Sequence, residues 1–128
     1  MSSVSYSFTH FSDVHLGAFR HPVLRELNLE AFRQAIDYSI REKADFIVIG
    51  GDLFDIALPD MRIVDESVKK MREAREAGIA IYCVYGSHDY SPTETSIIDV
   101  LSSAGMLKKV SKGAFNDEGK LRLEFTTD

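Results

Sequence analysis

The chain has 128 residues, of which 45% are apolar and 27% charged, and its net charge is −5 at neutral pH. That length suits one domain or one piece of a larger one, and the balance of residue types excludes a disordered or collagen-like polypeptide. No apolar run approaches the roughly 20 residues that span a bilayer. The acidic balance also argues against a broad basic surface for nucleic acid on this segment, although bound divalent cations would reverse the sign locally.

The start, Met1 to Tyr6, has neither a basic nor an apolar stretch, so no signal peptide is expected. Cys83 is the lone cysteine. With no disulfide framework to build, it suggests a reducing compartment, and its apolar context marks it as a small core residue. The location expected is cytoplasmic.

Taken in chain order, Tyr6 to Phe11 reads as a first strand. Leu29 to Ile40 reads as a helix, with Phe32, Ala35, Ile36 and Ile40 at spacings of three and four and Asn28 as its cap; Ala18 to Arg25 is left as a loop. Phe46 to Ile49 is a short continuous apolar run, the mark of a strand buried on both faces. Asp60 to Ala77 is expected to be a second helix with an inner stripe of Met61, Val64, Val68 and Met71, ended by Gly78. The alternating charges from Lys69 to Glu76 read as its solvated face.

Ile79 to Tyr85 reads as a third strand. Ser91-Pro92-Thr93-Glu94 has the form of a capped opening to a third helix, with Ile97, Ile98 and Leu101 as its apolar face and Gly105 as its end. Beyond Val110, Asn116 to Gly119 reads as a turn, and Leu121, Leu123 and Phe125 alternate as in a strand, so the chain ends in a candidate β-hairpin. Strands alternating with helices predict an α/β fold with a parallel sheet, whose carboxyl edge is where ligands bind.

At that edge the first strand would deliver Ser12-Asp13-Val14-His15, the second Gly50-Gly51-Asp52-Leu53-Phe54-Asp55, and the third Gly86-Ser87-His88-Asp89. Carboxylates and imidazoles from successive strand ends suit a pair of divalent ions that clamp a phosphate ester, and mixed oxygen and nitrogen donors suit Mn, Fe or Zn better than Ca. Asp13 and His15, two apart, could reach one ion, and Asp52 is the natural bridge. His88 could bind an ion, or could hydrogen-bond the phosphate and protonate the leaving oxygen.

These three blocks resemble the Asp-x-His, Gly-Asp, Gly-Asn-His-Asp/Glu pattern of the calcineurin-like metallophosphoesterases. Phe11 to Gly17, Gly50 to Asp55 and the Tyr90-Ser91-Pro92 opening resemble, more narrowly, the double-strand-break repair nucleases of the meiotic-recombination-eleven and SbcD group. The resemblance covers most of Tyr6 to Val110. It implies half of a metallophosphoesterase sandwich, with Asp13 and His15 on a first metal, Asp52 bridging two, and Ser87 contributing to the second. It also implies His88 as the catalytic histidine oriented by Asp89, and manganese as the cofactor. The implied reaction is hydrolysis of a DNA phosphodiester, with exonuclease and endonuclease action both open. An SMC-like ATPase is the implied partner, and a homodimer would form through helices near 60–77 and 92–104, where Ile63 and Val100 are apolar beyond a single stripe.

The sequence departs from that pattern twice. Ser87 stands where the family has Asn, which offers a longer carbonyl arm. The family's later histidines, one His and then a His-x-His, have no counterpart after His88. The expectation is therefore an N-terminal part of a nuclease domain, spanning 1–128, with weak metal binding and little activity alone. His10 reads as a hydrogen-bonded strand residue, and Arg20 and His21 as candidate DNA contacts in a loop. Two other readings stand beside the nuclease: a different metallophosphoesterase acting on phosphoproteins or cyclic nucleotides, and a non-catalytic dimer scaffold.

Overall fold

A computed structural model describes residues 3–87, 95–110, 113–115, 118 and 121–123. Phe8–Phe11 (β1), Phe46–Ile49 (β2), Ala80–Cys83 (β3) and Lys108–Lys109 (β4) form one parallel sheet in the order β1-β2-β3-β4. Phe8 pairs with Phe46 and Phe46 with Ala80, so the strands begin level and end level. The helices are Pro22–Arg41 (α1), Met61–Glu76 (α2) and Ile97–Ser103 (α3). Gly113–Phe115 (β5) and Leu121–Leu123 (β6) pair as the expected hairpin. This is the parallel α/β architecture the alternation of elements predicts. β4 is a strand the sequence hides, because two lysines are too few to alternate.

One face of the sheet supplies Phe11, Ile47, Ile49, Ile81 and Cys83 to a core shared with Leu29, Phe32 and Ile36 of α1, Ile63 and Met71 of α2, and Ile98 and Leu101 of α3. Each such side chain contributes about 1.5–3 kcal/mol on burial. Cys83 is buried there as expected, its thiol directed at the Val84 carbonyl. β2 is not buried on both faces: Phe46 and Val48 are only half-buried. On that side Phe46 stacks on Phe8, ring centres 5.0 Å apart, and meets Tyr82 edge-on at 5.9 Å.

α1 starts two turns earlier than the hydrophobic periodicity suggests. His21 is its cap, accepting the Val23 N–H on Nδ1 at 3.2 Å, and Pro22 holds the first helical position. Asn28 therefore lies inside the helix and caps nothing. The buried face of α2 is also rotated from the expected stripe: Ile63, Ser67, Met71 and Ala74 face inward, Val64 and Val68 flank them, and Met61 is 70% exposed. Ser67 is tolerated in the core because its hydroxyl bonds the Val64 carbonyl at 2.8 Å, a local satisfaction that hydrophobic counting does not register.

The charged face of α2 is not simply solvated. Lys70 bonds Asp37 of α1 at 2.6 Å, and Arg33 of α1 bonds Glu66 at 2.6 Å. These pairs tie the two helices side by side. Asp60, expected as the first residue of the helix, is its cap, accepting from Arg62 N–H at 2.9 Å. The proposed opening of α3 at Ser91 to Glu94 lies outside the described residues. The described first turn begins at Ser96, whose N–H and hydroxyl both bond the Asp99 carboxylate.

Asp99 also accepts Lys109 Nζ of β4 at 2.8 Å and the Tyr85 hydroxyl. Burial acts to raise its pKa, but these donors and the Ser96 N–H outweigh it and bring the carboxyl down to about 2. A folded pKa below the unfolded 3.8 gives stability that is complete above pH 4 and lost as pH falls through about 2. Asp99→Asn is expected to lower the unfolding free energy at neutral pH by on the order of 2 kcal/mol. Urea unfolding across pH should show the gap to wild type narrowing below pH 4 and closing near pH 2.

Candidate metal centre

Parallel strands that end level put their following loops side by side, and here the loops go on pairing. Gly50 N–H bonds Phe11 O at 2.9 Å, Asp13 N–H bonds Gly51 O at 3.1 Å, His15 N–H bonds Asp52 O at 3.0 Å and Leu16 N–H bonds Leu53 O at 2.9 Å. Asp55 N–H then returns to Leu16 O at 3.1 Å. Leu16, Leu53 and Phe54 are fully buried, so the far side of this ladder is anchored in the core.

Inside the anchored ladder the backbone folds sharply. Asp13, His15 and Asp52 have φ of 55°, 50° and 50°, and Lys43 is the one further non-glycine residue with positive φ among the described residues. Left-handed backbone costs a non-glycine residue on the order of 1 kcal/mol or more and gathers at functional sites. The left-handed residues bend the chain out of the extended strand path, and Asp13 and His15, two apart, keep their side chains on one side of the turn.

Their donor atoms converge. One ligand atom each from Asp13, His15 and Asp52 lie within 4.8 Å of one another. His15 Nε2 is 3.7 Å from Asp13 Oδ1 and 3.9 Å from Asp52 Oδ2. The other ring nitrogen, Nδ1, is 3.2 Å from Asp55 Oδ1. With its proton on Nδ1, His15 donates to Asp55 and presents Nε2 to the two carboxylates. A metal-binding histidine is held this way by a carboxylate behind it, which fixes the ring and its tautomer. Two carboxylate oxygens and an imidazole nitrogen facing one point form a donor set that suits a divalent transition metal. Asp52 is 8% exposed, the deepest of the three.

The third strand end reaches the same place through a close approach. Gly86 lies so tightly over Asp52 that a methyl group there would overlap the Asp52 carboxylate and amide. Gly51, with φ of 116°, would meet Gly86 Cα at 3.1 Å if it carried a Cβ. Tyr85, just before Gly86, is held by Asp99 and by Lys109, whose Nζ lies 4.9 Å over its ring.

The structure thus brings together Asp13, His15 and Asp52. Ser87 follows Gly86 in an exposed turn beside them. His88 and Asp89 lie outside the described residues. Arg20 is exposed, whereas His21 serves as the cap of α1. His10 is exposed on β1, with its ring beside Gly50. Asp55 is the partner that sequence reasoning left without a role, and its position three residues after Asp52 was the available signal.

A model of the calcineurin-like phosphoesterases matches residues 6–124. The chain belongs to that family. Its relatives include the DNA double-strand break repair protein Mre11 of Archaeoglobus fulgidus, 35% identical over 102 residues, which are 78% of this chain and 23% of that protein. The Mre11 of Sulfurisphaera tokodaii is 34% identical over 107 residues, 80% of this chain and 28% of that protein. An uncharacterized metallophosphoesterase, YhaO of Bacillus subtilis, is 31% identical over 103 residues, 73% of this chain and 25% of that protein. The chain thus spans about a quarter of the length of these relatives. No helix among the described residues is long and apolar enough to cross a membrane.

Family membership and the convergent donors agree on divalent-metal binding. Asp55→Ala should weaken Mn²⁺ affinity by roughly 10–100-fold, the usual effect of removing the carboxylate behind a ligand histidine. Paramagnetic resonance of free Mn²⁺ during titration measures this, and unchanged affinity would show that Asp55 does not orient His15.

Proposed function

We propose that this chain carries the N-terminal half of the metal site of a DNA nuclease that hydrolyses phosphodiesters at DNA ends during double-strand-break repair. The convergence of Asp13, His15 and Asp52 at one point carries this reading. The Mre11 relatives support DNA as the substrate. Asp13 and His15 hold one divalent ion, Asp52 bridges to a second, and Ser87 contributes to that second position. The metals, manganese in this reading, supply an activated water and offset the phosphate charge when bound.

His88 stands at the phosphate, where it hydrogen-bonds the ester and protonates the leaving oxygen, and Asp89 orients it. Arg20 and His21 lie toward the DNA path, His21 doing so in addition to capping α1. The whole protein works with an SMC-like ATPase and as a homodimer. The dimer surface draws on exposed Met61 and Val100, near which Ile56 and Leu58 are also exposed. The bond from Ile97 N–H to Ala57 O, 2.9 Å long, brings that loop against α3. Ile63, buried in the core, takes no part in it.

A second reading is a metallophosphoesterase with another substrate, the class to which the Bacillus relative belongs by name. Ser87, short and neutral where the family pattern has Asn, is the feature that favours a scaffold with a loosened second metal.

The full-length protein, supplied with Mn²⁺, should cleave DNA ends and leave a phosphopeptide and a cyclic nucleotide intact, and His88→Ala should abolish the cleavage. Turnover of the phosphopeptide or cyclic nucleotide in place of DNA would move the assignment to the second reading. The 128-residue chain alone is expected to bind Mn²⁺ weakly and to show little cleavage. Strong cleavage by it would mean that these residues suffice for a complete site.

A further inference from the structure

We propose that Asn28 is a positioning residue for the metal centre, holding the Asp13-Val14-His15 turn in its ligating shape from the helix side. This rests on the metal-site reading above and adds a residue to it. The turn has left-handed residues on both sides of Val14, which is an unfavourable backbone that must be held from outside. Two tethers come from the sheet side, Asp13 N–H to Gly51 O and His15 N–H to Asp52 O. The third comes from α1: Asn28 Nδ2 donates to the Val14 carbonyl at 2.8 Å. The carbonyl it grips belongs to the peptide that joins Val14 to His15, so moving it turns His15 relative to Asp13.

Two observations separate this role from ordinary packing. Asn28 borders a half-open cavity of about 260 Å³ together with Phe11, Asp13, Val14 and Phe32. Its Oδ1 is buried with no hydrogen-bond partner among the described residues. A buried orphan acceptor is destabilising, and an apolar side chain of the same size would avoid that cost. If Asn28 only filled space, leucine would serve better. The amide is distinguished from leucine by the single bond to Val14.

The test uses this opposition. In the purified chain, Asn28→Leu should change the melting temperature little, because it removes the orphan Oδ1 and fills part of the cavity but leaves the Val14 carbonyl without its donor. It should nevertheless weaken Mn²⁺ affinity at least about tenfold, as loss of an outer partner of a metal site does. Without metal, it should also speed hydrogen exchange at the His15 amide. Asn28→Asp is the second variant: it keeps the shape, and its carboxylate cannot donate to a carbonyl. Its affinity should fall too, although the added negative charge acts in the opposite direction. Wild-type Mn²⁺ affinity and His15 exchange in both variants would overturn the inference while leaving the metal site intact. Mn²⁺ binding to the wild-type chain that Asp13→Ala does not weaken would overturn the metal reading itself and this inference with it.

Discussion

The site depends on a hydrogen-bond ladder that does not stop where the strands do. Between β1 and β2 the parallel pairing runs on through Asp13 to Gly51, His15 to Asp52 and Leu16 to Leu53. Each loop is the other's template. Without the ladder, Asp13 and Asp52 would be acidic residues in separate turns nearly 40 positions apart in the chain. With it, their carboxylates face a common histidine nitrogen at 3.7 and 3.9 Å.

The ladder also explains how strained backbone survives at three candidate ligand positions. Left-handed φ at Asp13, His15 and Asp52 is unfavourable locally. It is offset by what lies immediately beyond: Leu16, Leu53 and Phe54, each fully buried, at about 1.5–3 kcal/mol apiece. The polar turn and its apolar anchor alternate within four or five residues, so the same short segment both presents ligands and enters the core. Gly86 closes the arrangement from β3 because only a residue without a side chain can lie against Asp52. The Tyr85, Asp99 and Lys109 cluster then fixes the approach of that third loop to α3 and β4.

Much of this was legible in the residues. The apolar run at Phe46 to Ile49, the span of α2 with Gly78 just beyond its end, and the terminal hairpin signal all stand in the chain as local chemistry. So does the clustering of Asp and His directly after strands. What was misread was misread for identifiable reasons. Pro22 looked like loop punctuation because its partner in opening α1 is a histidine side chain, an uncommon cap. The inner stripe of α2 looked to lie on Met61, Val64 and Val68 because apolar counting passes over Ser67, whose hydroxyl is satisfied locally. Asn28 looked like a cap because the helix containing it extends further upstream than its apolar spacing.

By itself the sequence determined the alternation of strands and helices, the residue types offered as ligands, and their arrival at one edge of a parallel sheet. Those follow from short-range propensity and periodicity. Tertiary structure alone decided the left-handed turns that aim Asp13 and His15 together, the Asp55 carboxylate behind His15, and the Asn28 grip on Val14. Each of these is a contact between segments far apart in the chain, in which one partner's geometry is set by the other's fold, and no local pattern encodes such a contact.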